Sequence, residues 1–201
     1  WKGAEQWGAK SEDNLKTWNR FEDNPVLTDE VHGKLKVRNW RDPYVWYDDI
    51  NKFYYMIMGG NMANWKFWNK KGSIFLYTSK DLRRWTYEGI LHTVDKEIAR
   101  IVECPNLIRF EDKSMLIIST IFDHGLKYAI GTFDGKKFIA NGKSPWKMFD
   151  HGKNAYATNT FFDDKGRSIV IAWIKGGGRG GWNGMMSIPR EISLDSWGNL
   201  V

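Results

Sequence analysis

The chain is poor in the features that would cross-link it or anchor it. A single cysteine, Cys104, stands among 201 residues, which excludes an internal disulfide framework and a multi-cysteine metal site but leaves the compartment open. No apolar run approaches the ~20 residues of a membrane span, and no signal peptide is visible. The four histidines, His32, His92, His124 and His151, show no metal-ligand spacing, so neither a metal nor a cofactor is expected. No segment sustains a 3.6-residue apolar period long enough for a helix. The net charge is +6 and the pI about 9.3, yet Lys and Arg are scattered among Asp and Glu, with runs no longer than pairs such as Lys70-Lys71. That pattern describes a solvated surface, and it argues against nucleic acid or a membrane as partner. The run Gly176-Gly177-Gly178-Arg179-Gly180-Gly181 lacks the Lys-Ser/Thr ending and following helix of a phosphate loop, and reads as a flexible loop.

Aromatic residues, by contrast, are plentiful: twelve Trp, eight Tyr and eleven Phe. They favour strands and supply large buried contacts, and their flat faces also suit the C–H faces of sugar rings. Short runs rich in β-branched and aromatic residues predict strands at Lys52–Met58, Ser73–Thr78, Ser114–Ile121, Tyr128–Phe133 and Ser168–Ile174, separated by turn signals such as Asp134-Gly135 and Asp163-Asp164-Lys165-Gly166. The fold expected is all-β.

Internal repetition sharpens this. Aromatic residues followed by acidic turn residues recur as Trp46-Tyr47-Asp48-Asp49, Phe110-Glu111-Asp112 and Phe161-Phe162-Asp163-Asp164. A Ser-x-Asp pattern ahead of a tryptophan occurs at Ser11 to Asp13 with Trp18 and at Ser79 to Asp81 with Trp85, with a weaker copy at Phe133-Asp134-Gly135 and Phe138. The copies lie about 50–60 residues apart, close to the roughly 40–50 of one four-stranded propeller blade. On this count residues 1–27 end an early blade, 28–93 and 94–143 are blades, and 144–201 form a last one. A ring of about three blades leaves an exposed sheet edge, so the chain is expected to be completed by a further segment or by a second copy.

The repeats place Asp42 and Glu103, each just ahead of a proline, at the same point of the innermost strands of successive blades, where both would face the channel mouth. Two carboxyl groups across a sugar-sized pocket are the minimum for glycoside cleavage, one donating a proton and one stabilising charge at the anomeric carbon. A purely structural role, with both acids tied to backbone N–H groups or to Arg41, stays open on the residues alone.

Arg41-Asp42-Pro43 and Glu103-Cys104-Pro105, in that order, resemble the paired signatures of glycoside hydrolase family 32, the invertases, levanases and inulinases. Further matches run in family order: Asn24-Pro25-Val26-Leu27, Leu76 to Leu82 with Trp85, Gly131 to Phe138, Asp150-His151-Gly152 with Tyr156-Ala157, Ile171-Ala172-Trp173, and Met186 to Glu191. The resemblance implies a five-bladed β-propeller, of which this chain supplies about three blades plus part of another, and retaining cleavage of β-fructosides of the sucrose, levan or inulin type. It implies Asp42 as transition-state stabiliser and Glu103 as general acid/base, with Glu103 holding a proton near neutrality. Arg41 would bind a hydroxyl and keep Asp42 ionised, and Cys104, Tyr156 and Trp173 would line the substrate. The family's nucleophile, an Asp in a Trp-Met-Asn-Asp-Pro-Asn-like stretch, has no match here, so the chain is expected to be inactive alone. Two rivals remain: an arabinanase- or xylosidase-like propeller, and a non-catalytic carbohydrate-binding propeller.

Overall fold

The computed structural model describes residues 3–62, 71–121, 125–178 and 180–201. Among these the architecture is strands and turns with one short 3-10 turn at Asp29–His32. Strands β1 (Glu5–Gln6) and β4 (Leu27–Thr28) pair with each other, as do β2 (Ala9–Lys10) and β3 (Asn19–Arg20). Three larger antiparallel sheets follow. The first runs in order β5 (Val37–Asp48), β6 (Phe53–Met62), β7 (Gly72–Ser79), β8 (Thr86–Thr93). The second holds β9 (Val102–Arg109), β10 (Ser114–Thr120), β11 (Gly125–Phe133) and β12 (Phe138–Ala140), and β13 (Lys147–Met148) also pairs with β11. Lys147–Met148, expected within the last blade, therefore belong to the sheet before it. In the third sheet β14 (Ala155–Phe162) pairs with β15 (Ser168–Gly177), whose other edge is shared by β16 (Asn183–Met186) and β17 (Arg190–Ile192).

Consecutive antiparallel strands joined by tight turns explain the repeated acidic signals. The Oδ1 of Asp48 accepts the Ile50 and Asn51 amides, that of Asp134 accepts those of Lys136 and Lys137, and that of Asp163 accepts those of Lys165 and Arg167. The Ser-x-Asp copies work alike: Ser11 and Ser79 donate to Asp13 and Asp81, whose Oδ1 atoms in turn cap two turn amides each. A short acceptor that captures amides the ladder cannot use is what a hairpin turn requires.

The strands alternate with period two, and both faces of the sheets find a partner. Ile57, Ile74, Leu76, Leu91, Leu116 and Ile118 fill the space between the first and second sheets, while Met115, Ile117, Tyr128, Val170 and Ala172 fill that between the second and third. Burial on both faces is why β7 and β10 read as unbroken apolar runs. A third cluster, Trp40, Met56, Met58, Phe75 and Tyr77, lies on the other face of the first sheet. There the buried His32 ring meets the Tyr77 hydroxyl through Nε2 at 2.6 Å and the Asp29 carbonyl through Nδ1 at 3.0 Å, and Trp40 Nε1 donates to the same hydroxyl at 2.8 Å.

Face-to-face stacking brings the first strands of the three sheets, β5, β9 and β14, together. A buried polar chain ties them: Thr160 of β14 bonds the Tyr44 hydroxyl of β5 and the Asn106 carboxamide oxygen of β9, each at 3.0 Å, and Asn106 Nδ2 donates to the Thr158 and Cys104 carbonyls. This is the all-β propeller architecture, of which the described residues supply three blades with their innermost strands side by side.

Candidate active site

Each innermost strand is broken by a bulge at the same level. Register slips after Arg41 in β5, opposite Glu103 to Asn106 in β9, and after Tyr156 in β14. At each slip one non-glycine residue takes a left-handed backbone: Asp42 at φ 62°, Cys104 at φ 44° and Ala157 at φ 48°. Bulges re-aim side chains and free backbone groups from the ladder. Here they set Arg41, Glu103 and Tyr156 at equivalent positions and put Asp42 level with Cys104. The expectation that Asp42 and Glu103 occupy the same point of successive blades is thus off by one residue. The proline after Asp42 corresponds to the one after Cys104.

The offset brings the side chains into one cluster. Glu103 accepts from Arg41 Nε at 3.0 Å and from Arg41 Nη2, and it also receives the Tyr156 hydroxyl. Arg41 reaches it because Gly59, paired with Arg41 in β6, lets the sheets approach closely. A Cβ on Gly59 would lie 2.3 Å from the Val102 carbonyl oxygen. Asp42 Oδ2 takes the Cys104 amide at 2.9 Å and sits 3.5 Å from its Sγ. Arg41 Nε lies 4.0 Å from that oxygen, so the guanidinium serves Glu103 first and Asp42 second. Arg41, expected from sequence to bind a sugar hydroxyl and to attend Asp42, thus stands between both carboxylates. The freed amide of Ala157 is satisfied likewise, by Ser119 Oγ at 3.0 Å, across from Glu103 in β10.

The electrostatics follow from burial beside two carboxylates. The Cys104 thiol is pushed up to about 12, first by burial and then by the Asp42 charge, so it stays a thiol. The Tyr156 phenol is raised well above its ordinary value by burial and then by its bond to Glu103, which keeps it a donor. Among the described residues the charged groups that bear on the Cys104 thiol include Asp42, Glu103 and Arg41. None of their clusters of His, Cys, Asp and Glu could hold a metal ion.

Of the residues singled out from sequence, Arg41, Asp42, Glu103, Cys104 and Tyr156 meet. Trp173 stands one strand out, paired with Tyr156 in the β14–β15 ladder, with its indole nitrogen against Gly184. The glycine-rich run forms the end of β15 and the turn to β16, with Arg179 outside the described residues, as is His124. Sequence reasoning missed Lys175, whose Nζ lies 3.7 Å from the centre of the Tyr156 ring. Its signal was strand alternation, which puts it on the same face as Trp173. Asn106 and Thr160, which tie the inner strands together, carried no signal beyond being polar within apolar runs.

A sucrose-6-phosphate hydrolase of Vibrio alginolyticus is 27% identical over 93% of this chain and 43% of its own length. A β-fructofuranosidase of Arabidopsis thaliana, an insoluble isoenzyme, is 30% identical over 95% of this chain and 36% of its own. The chain thus spans less than half the length of either relative. Among solved structures, a mutant β-fructofuranosidase of Bombyx mori in complex with sucrose superposes with a TM-score of 0.76 at 25% identity, over 94% of this chain and 42% of that one. The family model described as the glycosyl hydrolases family 32 N-terminal domain matches residues 1–201, and the chain belongs to that family.

Proposed function

We propose that this chain is catalytic-propeller material of a retaining β-fructosidase, with Glu103 as general acid/base and Asp42 as the stabilising carboxylate. The observation that carries this is the cluster at the inner-strand bulges, where Glu103 is held by Arg41 and Tyr156 while Asp42 is oriented by the Cys104 amide. A carboxyl group gripped from two sides keeps one orientation toward a leaving oxygen, which proton transfer requires.

In the first step a nucleophilic carboxylate attacks the anomeric carbon of the fructosyl unit as Glu103 gives its proton to the departing glycosidic oxygen. In the second, water attacks the same carbon, its proton passes to Glu103, and the nucleophile leaves. Asp42, fixed beside Cys104, accepts hydroxyls of the sugar and opposes the positive charge that builds at its ring. Arg41 and Tyr156 hold Glu103 through both protonation states, and Cys104 and Trp173 form part of the wall. The nucleophile comes from a segment other than the described residues. Sucrose, which the Bombyx mori relative binds, and longer fructosides are the substrates.

The test is fructose release from sucrose, inulin and levan. The 201-residue chain alone is expected to release none, and to gain activity when joined to a segment bearing the family's Asn-Asp-Pro motif. Turnover by the chain alone, abolished by Glu103→Gln, would show that the nucleophile is already present. Cleavage of an aryl arabinoside but not of sucrose by the joined protein would replace the substrate class.

A further inference from the structure

A second cleft opens at the other end of the first sheet. Register places Tyr55 opposite Trp46, five residues along β5 from Arg41, which is about 16 Å along the strand. The cleft has a volume of about 620 Å³ and lies between this end of the sheet and the β11–β12 turn, with Phe53, Tyr55, Thr78, Arg84, Glu88 and Lys136 around it. That size falls within the range of small-molecule sites, about 300–1,000 Å³.

Its chemistry is specific. Tyr55 is only 5% exposed, and its ring is held by Trp46 stacked at 5.0 Å and by Phe53 and Phe133 edge-on at 4.8 and 5.3 Å. A buried tyrosine hydroxyl ordinarily finds a hydrogen-bond partner. That of Tyr55 opens onto the cleft it lines, where solvent or a ligand can meet it. Opposite it stands Gly135 at φ 91°, where a Cβ would come 3.2 Å from the Tyr55 oxygen. The glycine therefore keeps the hydroxyl accessible. Glu88 is fixed by the Thr78 hydroxyl on its Oε1 at 2.6 Å, leaving Oε2 as an acceptor. Arg84 lies 3.8 Å from the Asp81 carboxylate at the exposed rim. A donor, an acceptor and an aromatic edge suit the hydroxyl groups and C–H face of a sugar ring, and the charges around them, Lys80, Arg84 and Lys136 against Asp81 and Glu88, nearly balance.

We propose that this cleft is a second carbohydrate site, taking a neutral stretch of fructan away from the bond that is cleaved. The sugar class rests on the function proposed above, whereas the site itself does not.

The test is direct binding by the 201-residue chain, with no catalysis needed, measured as retardation in gels containing inulin or levan and by titration with 1-kestose. Glu88→Gln, at an exposed position, should weaken inulin binding severalfold. Together with Tyr55→Phe it should weaken it about tenfold through two lost hydrogen bonds, with the circular dichroism spectrum unchanged. An Asp42→Asn, Glu103→Gln chain should keep the binding lost in the cleft variant. Parental inulin and levan affinity in the cleft variant would overturn the proposal, as would binding abolished by the Asp42 and Glu103 changes alone. Tighter binding of sucrose 6-phosphate than of 1-kestose at the cleft would overturn the neutral class. If the joined protein cleaves no fructoside yet the cleft variants lose inulin binding, the proposed function fails and this site stands.

Discussion

Asp42 and Cys104 occupy equivalent bulges on neighbouring inner strands, and the carboxylate of the first takes the backbone amide of the second at 2.9 Å. The bulge that frees the Cys104 amide from its ladder thus supplies the donor that orients the Asp42 carboxylate, the proposed transition-state stabiliser. Asp42→Ala should leave that amide unsatisfied and cost about 1–3 kcal/mol of stability. Asp42→Asn keeps an acceptor oxygen without the charge, and should melt close to the parent while the joined enzyme loses its turnover. Thermal melts set beside sucrose hydrolysis separate the two effects.

Glu103→Gln should lower kcat of the joined enzyme by about 10²–10⁴-fold, the usual worth of a general acid/base. The loss should shrink for a fructoside whose leaving group departs without a proton. Equal losses on both substrates would remove Glu103 from the role of proton donor.

Arg41 and Tyr156 grip one carboxylate, so their substitutions should not add. Arg41→Lys loses the forked contact of the guanidinium, and Tyr156→Phe loses one hydrogen bond. Measured in kcat/KM, the double variant should fall short of the product of the single effects, because the second loss acts on a group already released.

Ala157 carries a side chain at φ 48°, a backbone that costs an L-residue roughly 1–2 kcal/mol. Glycine relieves that strain and loses part of the gain to chain entropy, so Ala157→Gly should raise stability by about 0.5–1 kcal/mol. Ala157→Val should lower it, since branching at Cβ tightens the same clash. Chemical denaturation reads both.

His32 is held below its ordinary value by burial, and His92, also partly buried, shifts the same way for the same reason. Both are therefore neutral in the folded chain when their unfolded counterparts begin to take protons, near pH 6.5. Above that pH they add no pH dependence. As pH falls through it the unfolded state binds more protons, so stability should decline from about pH 6.5 toward the lower folded values. Tm measured between pH 8 and pH 5 should show this slope, and His32→Gln should flatten it at the cost of a lower Tm at pH 8, because the Tyr77 hydroxyl, which still accepts from Trp40, loses its imidazole partner.

What the amino-acid order determined by itself is the local part of this protein. Unbroken apolar runs such as Ser73–Thr78 and Ser114–Ile121, and acidic residues at Asp48, Asp134 and Asp163 that capture the amides of the turns they begin, act over a few residues and are visible in a few residues. The family signatures around Asp42 and Glu103 were legible for the same reason. The tertiary structure alone decided how those residues face one another. Arg41 meets Glu103 across 62 positions of chain, and it does so because three bulges with left-handed backbone at Asp42, Cys104 and Ala157 shift each inner strand by one residue, and because Gly59 admits the close approach of two sheets. Of those three residues only aspartate visits that backbone with any frequency, and neither cysteine nor alanine favours it. Packing of sheet against sheet imposes it, so the one-residue offset and the cleft beside Tyr55 appear only when the blades are stacked.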